Sequence, residues 1–201
     1  MFVFDYTLKN INAERLTHKS EESCHFDENS IKQLIMNCED DNNVWSHIYD
    51  ADIIKRNNIR FNENVKFGED LIFNLDYVDK IKNAYYLSLN CYIYNSDNNN
   101  SAVHRYNGSY ISDIISIFVK YNTLYKSNNG LKWNFADRYF LNFIYNCLRK
   151  DEKNVDKKIF FDSDLYYYLI RFKKPYGKKD CIKVAYVKIK KIIYRMCDVS
   201  E

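Results

Sequence analysis

Glycine and proline are scarce in this chain, which has 4 Gly and 1 Pro among 201 residues. Because glycine supplies positive φ values and proline breaks helices, their scarcity argues against a sandwich or barrel with many tight turns. Asn and Asp side chains can hold a turn in place of glycine. The composition therefore favours long helices joined by turns that contain Asn and Asp.

Paired cysteines and long apolar runs are also missing. The 6 cysteines are scattered without a Cys-x-x-Cys pair or a Cys/His ligand spacing, which argues against structural zinc and favours reduced thiols. The segment after Met1 does not resemble a signal peptide, and no stretch approaches the roughly 18 apolar residues of a membrane-spanning helix. We therefore expect a cytoplasmic protein, with peripheral association at the inner membrane face left open.

The hydrophobic patterning predicts a helix-rich α+β fold. The run 2–6 has the pattern of a buried strand in the middle of a sheet, whereas 8–28 has that of a loop. Ser30 is the predicted N-cap of a helix that reaches residue 38, and a second helical stripe covers 44–54. Further on, the spacing predicts a helix over 69–81 and a strand over 84–95, followed by helices over 110–126, 134–149, 163–172 and 181–197. We expect two parts, 1–107 and 108–201, the second entirely helical.

An ordered set of motifs lies between residues 44 and 103. A Trp-x-x-x-Tyr segment at Trp45 is followed by Ile59-Arg60-Phe61, by Gly68-Glu69-Asp70 with Phe73, by a Tyr-x-Tyr strand at Tyr92, and by Ser101. This set resembles the second half of bacterial family-two glycosyltransferases with the A-type fold, which extend capsular, lipopolysaccharide and teichoic-type glycans. The resemblance implies that 1–107 is a partial A-type α/β domain with few strands.

The resemblance also implies a role for each motif residue. Asp70 would be the general base that accepts a proton from the acceptor hydroxyl, and Glu69 its neighbour that orients the acceptor or supports the turn. We expect the N-terminus of the helix to lower the pKa of Asp70. Trp45, Arg60 and Ser101 are the candidate substrate-binding residues. Trp45 could stack on a sugar or pack in the core, and both interpretations stay open. Arg60 could contact a phosphate or be a solvated charge, and these two also stay open.

The Asp-x-Asp motif that holds the metal and the sugar diphosphate in this family has no clear counterpart ahead of Asp70. Asp50-Ala51-Asp52 falls within a helical pattern. We therefore expect a fragment or one part of a split enzyme, with no metal ligands of its own. A Mn²⁺ or Mg²⁺ ion, a nucleotide-sugar donor and a glycan or lipid-linked acceptor would belong to the full enzyme.

The net charge of +3 does not require a nucleic-acid partner, and we expect none. Basic residues concentrate near the C-terminus, where 180–197 has the pattern of a basic amphipathic helix suited to an anionic membrane surface. Packing of this helix on its own domain is an equally open interpretation. The alternative to a transferase is a non-catalytic helical module for interaction or membrane docking.

Overall fold

The structure is a computed structural model. It describes residues 1–10, 12–17, 21–37, 43–95, 110–132, 136–150, 155–171 and 177–198. Five strands and eight α-helices lie in these ranges, and the predicted helix-rich α+β class is confirmed.

One mixed sheet organises the N-terminal part. Its strands are β1 (Phe2–Asn10), β2 (Ala13–Thr17), β3 (Cys24–Asp27), β4 (His47–Ile48) and β5 (Asn83–Asn95), in the order β2-β1-β5-β3 with β4 paired to the start of β1. β1 runs parallel to β5, and the other pairs are antiparallel. The prediction that the first strand lies inside a sheet is confirmed, and Val3, Phe4 and Tyr6 are buried there.

The prediction of a loop over 8–28 is wrong. β1 continues to Asn10, and both β2 and β3 form in this region. All of β2 except Thr17 is exposed, so the strand carries no apolar alternation. It is held by its backbone pairing to β1, which hydropathy does not reveal.

The first helix begins earlier than predicted. Helix α1 spans Glu28–Met36, and its N-cap is Asp27, whose Oδ1 accepts the Ser30 N–H at 2.7 Å. Ser30 is therefore not the cap. Both residues are good caps, and the carboxylate of Asp27 also interacts favourably with the helix dipole.

The predicted helical stripe over 44–54 is largely wrong. Residues 44–49 are not helical, and helix α2 covers only Ala51–Arg56 with Asp50 as its N-cap. The Oδ1 atom of Asp50 accepts the Asp52 N–H at 2.8 Å. The helix ends at Asn57, and Asn58 follows with a φ of 49°. In this segment Trp45 stacks on Tyr92 of the sheet and Tyr49 contacts Phe73 of the next helix, whereas Ile48 is exposed.

Helix α3 (Glu69–Val78) confirms the predicted helix that begins at the Glu-Asp pair. Its apolar residues and those of α1 form the core beside the sheet, with Ile31, Ile35, Leu71, Leu75 and Val78 at most 2% exposed. Strand β5 confirms the predicted strand over 84–95.

The chain divides into two compact units. The first comprises Met1–His104 with Lys120–Trp133, and the second comprises Arg105–Val119 with Asn134–Glu201. Helix α4 (Ile111–Ser127) contributes residues to both. The predicted boundary at 107/108 lies outside the described residues and stays a prediction.

The described part of the second unit is helical, with α5 (Ala136–Lys150), α6 (Lys157–Asp162), α7 (Asp164–Ile170) and α8 (Lys178–Asp198). Helix α6 was not predicted, because six residues are too few to show a clear period. Phe118, Phe140, Ile144, Phe160, Leu165 and Val187 form the buried core of this unit. No helix in the described ranges is long and apolar enough to cross a bilayer.

Candidate functional site

The carboxylate of Asp70 lies in the first turn of α3. Gly68 precedes the helix with a φ of 80°, a left-handed conformation that favours glycine, and the Gly68 carbonyl accepts the Ile72 N–H at 3.1 Å. This turn leaves Asp70 partly buried, with its Oδ2 atom 3.4 Å from the Val44 N–H. The helix start therefore brings Asp70 against the segment that carries the Trp-x-x-x-Tyr motif.

The predicted direction of the Asp70 pKa is wrong. Burial of the carboxylate raises the pKa above its ordinary value of 3.8, and the negative charge of Glu69 raises it further. The Val44 N–H lowers the pKa, but its effect is smaller than either. Helix position alone was the wrong guide because it ignored desolvation. A carboxylate with a raised pKa binds a proton more readily, which suits a general base.

A hydrogen-bonded network continues from Asp70 along the same face of α3. The side chain of Asn74 is one helical turn further on and is fully buried. Its Oδ1 accepts the Tyr49 hydroxyl at 2.5 Å, and its Nδ2 donates to the Asn43 carbonyl at 3.0 Å. The Tyr49 hydroxyl is also 3.2 Å from Nδ1 of His47. These bonds fix residues 43–49 against α3.

The electrostatics of the network are consistent with its burial. Desolvation raises the pKa of Tyr49, and the nearby charge of Asp70 adds to this effect. Tyr49 also makes edge contacts with Phe73 and Tyr77, whose ring centroids are 5.3 and 4.9 Å from its own. Tyr49 is therefore a neutral hydroxyl that holds Asn74 in place.

An aromatic cluster lies on the other side of the same segment. The ring of Trp45 stacks on Tyr92 and Tyr94, with centroid separations of 4.6 and 5.1 Å, and meets the edge of Tyr6 at 4.5 Å. Tyr92 and Tyr94 are two residues apart on β5 and so share a face of the sheet. Tyr92 is 40% exposed and Trp45 is partly exposed. Together the four rings form an aromatic platform.

The other predicted site residues are placed differently. Glu69 lies beside Asp70 at the start of α3 and is partly exposed. Arg60 is exposed on the segment after α2 and makes no ion pair with another described residue. Ser101 lies outside the described residues, so its role stays a prediction. The structure thus brings Glu69 and Asp70 to the backbone of Val44, the residue before Trp45.

Sequence reasoning missed Asn74 as a member of the site. The signal was present, because Asp70, Asn74 and Tyr77 recur at i, i+4 and i+7 on a helix whose other charged residues are Glu69 and Asp76. The Tyr77 hydroxyl accepts the Asp50 N–H at 2.9 Å and extends the polar stripe. Asp5 was also missed. It is a buried carboxylate in an apolar strand, and its Oδ2 accepts the Tyr86 hydroxyl at 2.7 Å.

Within the described ranges, no three His, Cys, Asp or Glu side chains lie close enough together to hold a metal ion. The Asp50 and Asp52 pair belongs to the cap of α2. The described residues do not by themselves fit the divalent cation that the resemblance implies.

Comparison of the chain with protein-family models, curated proteins and solved structures gives no match.

Proposed function

We propose that this chain is the acceptor-side part of an inverting, nucleotide-sugar-dependent glycosyltransferase, with Asp70 as the general base. One observation carries the proposal. A partly buried carboxylate with a raised pKa lies against residues 43–49, and these residues also present a partly exposed aromatic platform. The motif order described above supports the same assignment.

The chemistry requires one proton transfer at Asp70. As the acceptor hydroxyl oxygen attacks the anomeric carbon, its proton passes to the Asp70 carboxylate. The bond between the anomeric carbon and the phosphate oxygen breaks, and the nucleoside diphosphate leaves with the bonding electrons. Glu69 is placed to accept a hydrogen bond from another acceptor hydroxyl. The divalent cation and the donor sugar are assigned to the full enzyme.

The aromatic platform supports a saccharide acceptor. Aromatic rings pack well against the apolar C–H faces of sugars, and the exposed side of Tyr92 leaves room for such contact. Trp45 packs against the sheet beside Tyr92 and stays a candidate contact for the acceptor. Arg60 and Ser101 stay predicted substrate contacts.

Acceptor binding can be tested with the chain alone. Calorimetric titration with oligosaccharides of bacterial surface glycans should give saturable binding that Tyr92→Ala abolishes and Asp70→Asn preserves. Tyr125→Ala, which alters a similarly exposed tyrosine on α4, is the matched control and should bind like the wild type. Titration with nucleoside diphosphate sugars and Mn²⁺ should give no heat. Strong donor binding would contradict the assignment of the donor site elsewhere.

Catalysis requires the donor-side part to be supplied in trans. In that mixture, release of nucleoside diphosphate should depend on Asp70, and Asp70→Asn should lower the rate by a factor on the order of a thousand, the usual range for loss of a general base. Asp79→Asn, at the opposite end of α3, is the control and should leave the rate unchanged. Wild-type turnover by Asp70→Asn would remove the base assignment.

The second candidate is a non-catalytic docking module. The observation that favours it is the exposed apolar face of α8, which the catalytic proposal does not use. Acceptor binding that depends on Tyr92 would argue against a purely docking role.

A further inference from the structure

Helix α8 has a packed face and an outward face. One packs into the second unit, where Asp180, Val187 and Lys191 are buried. Asp180 is paired with Arg138 at 3.4 Å, and the Lys191 Nζ donates to the Phe161 carbonyl at 2.8 Å. The helix therefore packs on its own unit, and its outward face is still to be explained.

The outward face is large and apolar. Its isoleucine and methionine side chains are between 47% and 72% exposed, and they are Ile182, Ile189, Ile192, Ile193 and Met196. Ala185 continues the same face. At 3.6 residues per turn these positions cover roughly 100° of the helix circumference. A continuous exposed apolar surface of this kind marks an interaction site.

Cations line both edges of this face. Lys188 and Arg195 follow one edge and are exposed, and Lys179 and Lys190 follow the other. Lys190 extends over the Tyr186 ring, with its Nζ 5.4 Å from the ring centroid. Between positions 181 and 196 the sequence has no Asp or Glu. The outward face thus has an apolar centre and a positive margin on each side.

We propose that this face of α8 docks on an anionic lipid bilayer, with the helix lying in the plane of the interface. The isoleucines would enter the boundary of the acyl chains, while the long lysine and arginine stems reach back to the lipid phosphates. A second copy of the chain fits less well, because packing two such faces together brings Lys188 and Arg195 near like charges. The proposal is independent of the catalytic assignment.

The test is flotation of the full chain with vesicles of phosphatidylcholine, with or without phosphatidylglycerol. Binding should require the anionic lipid and weaken at high salt, because each cation near such a surface contributes roughly fivefold to partitioning. Lys188→Glu with Arg195→Glu should reduce partitioning by a factor of about 25 or more on the same basis. Arg149→Glu with Lys158→Glu makes the same change of charge at exposed sites on α5 and α6 and should bind like the wild type.

The apolar contribution needs its own variant. Ile189→Ser with Ile192→Ser should lower partitioning at least about tenfold, whereas Ile159→Ser on α6, which is 48% exposed, should have little effect. All these sites are exposed, so unchanged circular dichroism and melting temperature are expected. Equal binding to neutral and anionic vesicles would overturn the proposal. The proposal would also be overturned if the chain bound neither kind of vesicle, or if Ile189→Ser with Ile192→Ser bound like the wild type. A concentration-dependent dimer that this variant abolishes would overturn it as well.

Discussion

Replacing Asn74 with Leu is the most direct test of the network beside Asp70. Leu has the branched shape of Asn, with larger methyl groups in place of the amide oxygen and nitrogen, so the substitution removes both hydrogen bonds without opening a cavity. The Asn43 carbonyl loses its Asn74 donor, which costs about 1 to 3 kcal/mol for a buried group. The Tyr49 hydroxyl keeps His47 as a partner 3.2 Å away, so the free-energy cost at this hydroxyl is smaller than at the Asn43 carbonyl. Burial of the Leu side chain offsets part of the cost.

We expect Asn74→Leu to lower the free energy of unfolding by about 2 kcal/mol. Urea denaturation followed by circular dichroism measures this change. Asn64→Leu is the matched control at an exposed site and should stay within about 0.5 kcal/mol of the wild type.

A double-mutant cycle with Tyr49→Phe tests whether the two side chains act together. Because they share the bond between the Tyr49 hydroxyl and Asn74 Oδ1, the double variant should be less destabilised than the sum of the single ones, by about 1 kcal/mol. Strict additivity, or an Asn74→Leu value equal to that of Asn64→Leu, would refute the network.

Three further changes have expected outcomes. Asp70→Asn should raise the melting temperature at neutral pH, because the pKa of Asp70 is higher in the folded chain than its ordinary value of 3.8. Such a group lowers the stability of the folded chain as the pH rises from 3.8 through the folded-state pKa, so the gain in the Asn variant should vanish in acid. A lower melting temperature at neutral pH would contradict this. Gly68→Ala should cost about 1 kcal/mol in urea denaturation because Gly68 has a φ of 80°, and Gly68→Asn should cost less, since Asn tolerates this conformation. Lys191→Met should cost about 1 kcal/mol through its lost hydrogen bond and ring contacts, with its Nζ 4.0 Å from the centroid of the Tyr166 ring. Lys178→Met, at an exposed site, should leave the free energy of unfolding unchanged. Equal changes in the free energy of unfolding for Lys191→Met and Lys178→Met would disprove the contribution of the buried contacts.

Helix α3 and strand β5 were predicted from their apolar and aromatic residues. These residues are mostly buried in α3, whereas many of them are exposed in β5. Strands β2 and β3 could not be predicted in the same way. Their side chains are mostly exposed, and backbone pairing defines them, with the neighbouring strand β1 for β2 and with the distant strand β5 for β3. Residues 44–49 failed for a different reason, because Ser46 and His47 are buried there while Ile48 is exposed, so burial in this segment does not follow a helical apolar stripe.

The candidate site shows a similar division. The position of Asp70 at a helix start was predicted from local sequence, whereas its pKa depends on burial against Val44, which no local pattern reports. The contact between Trp45 and Tyr92 joins two segments far apart in sequence. Arg60 was chosen from its place in the motif order, and the fold leaves its side chain exposed.

The parallel pairing of β1 with β5 has a consequence for synthesis of the chain. Asp5 and its partner Tyr86 are 81 positions apart, so the centre of the sheet is a contact of high sequence separation. At ordinary translation rates, β1 waits on the order of ten seconds before β5 emerges from the ribosome. Closing so long a loop is entropically costly and slow. During that interval the apolar side chains of β1 are exposed, and the nascent chain is at its most vulnerable to aggregation.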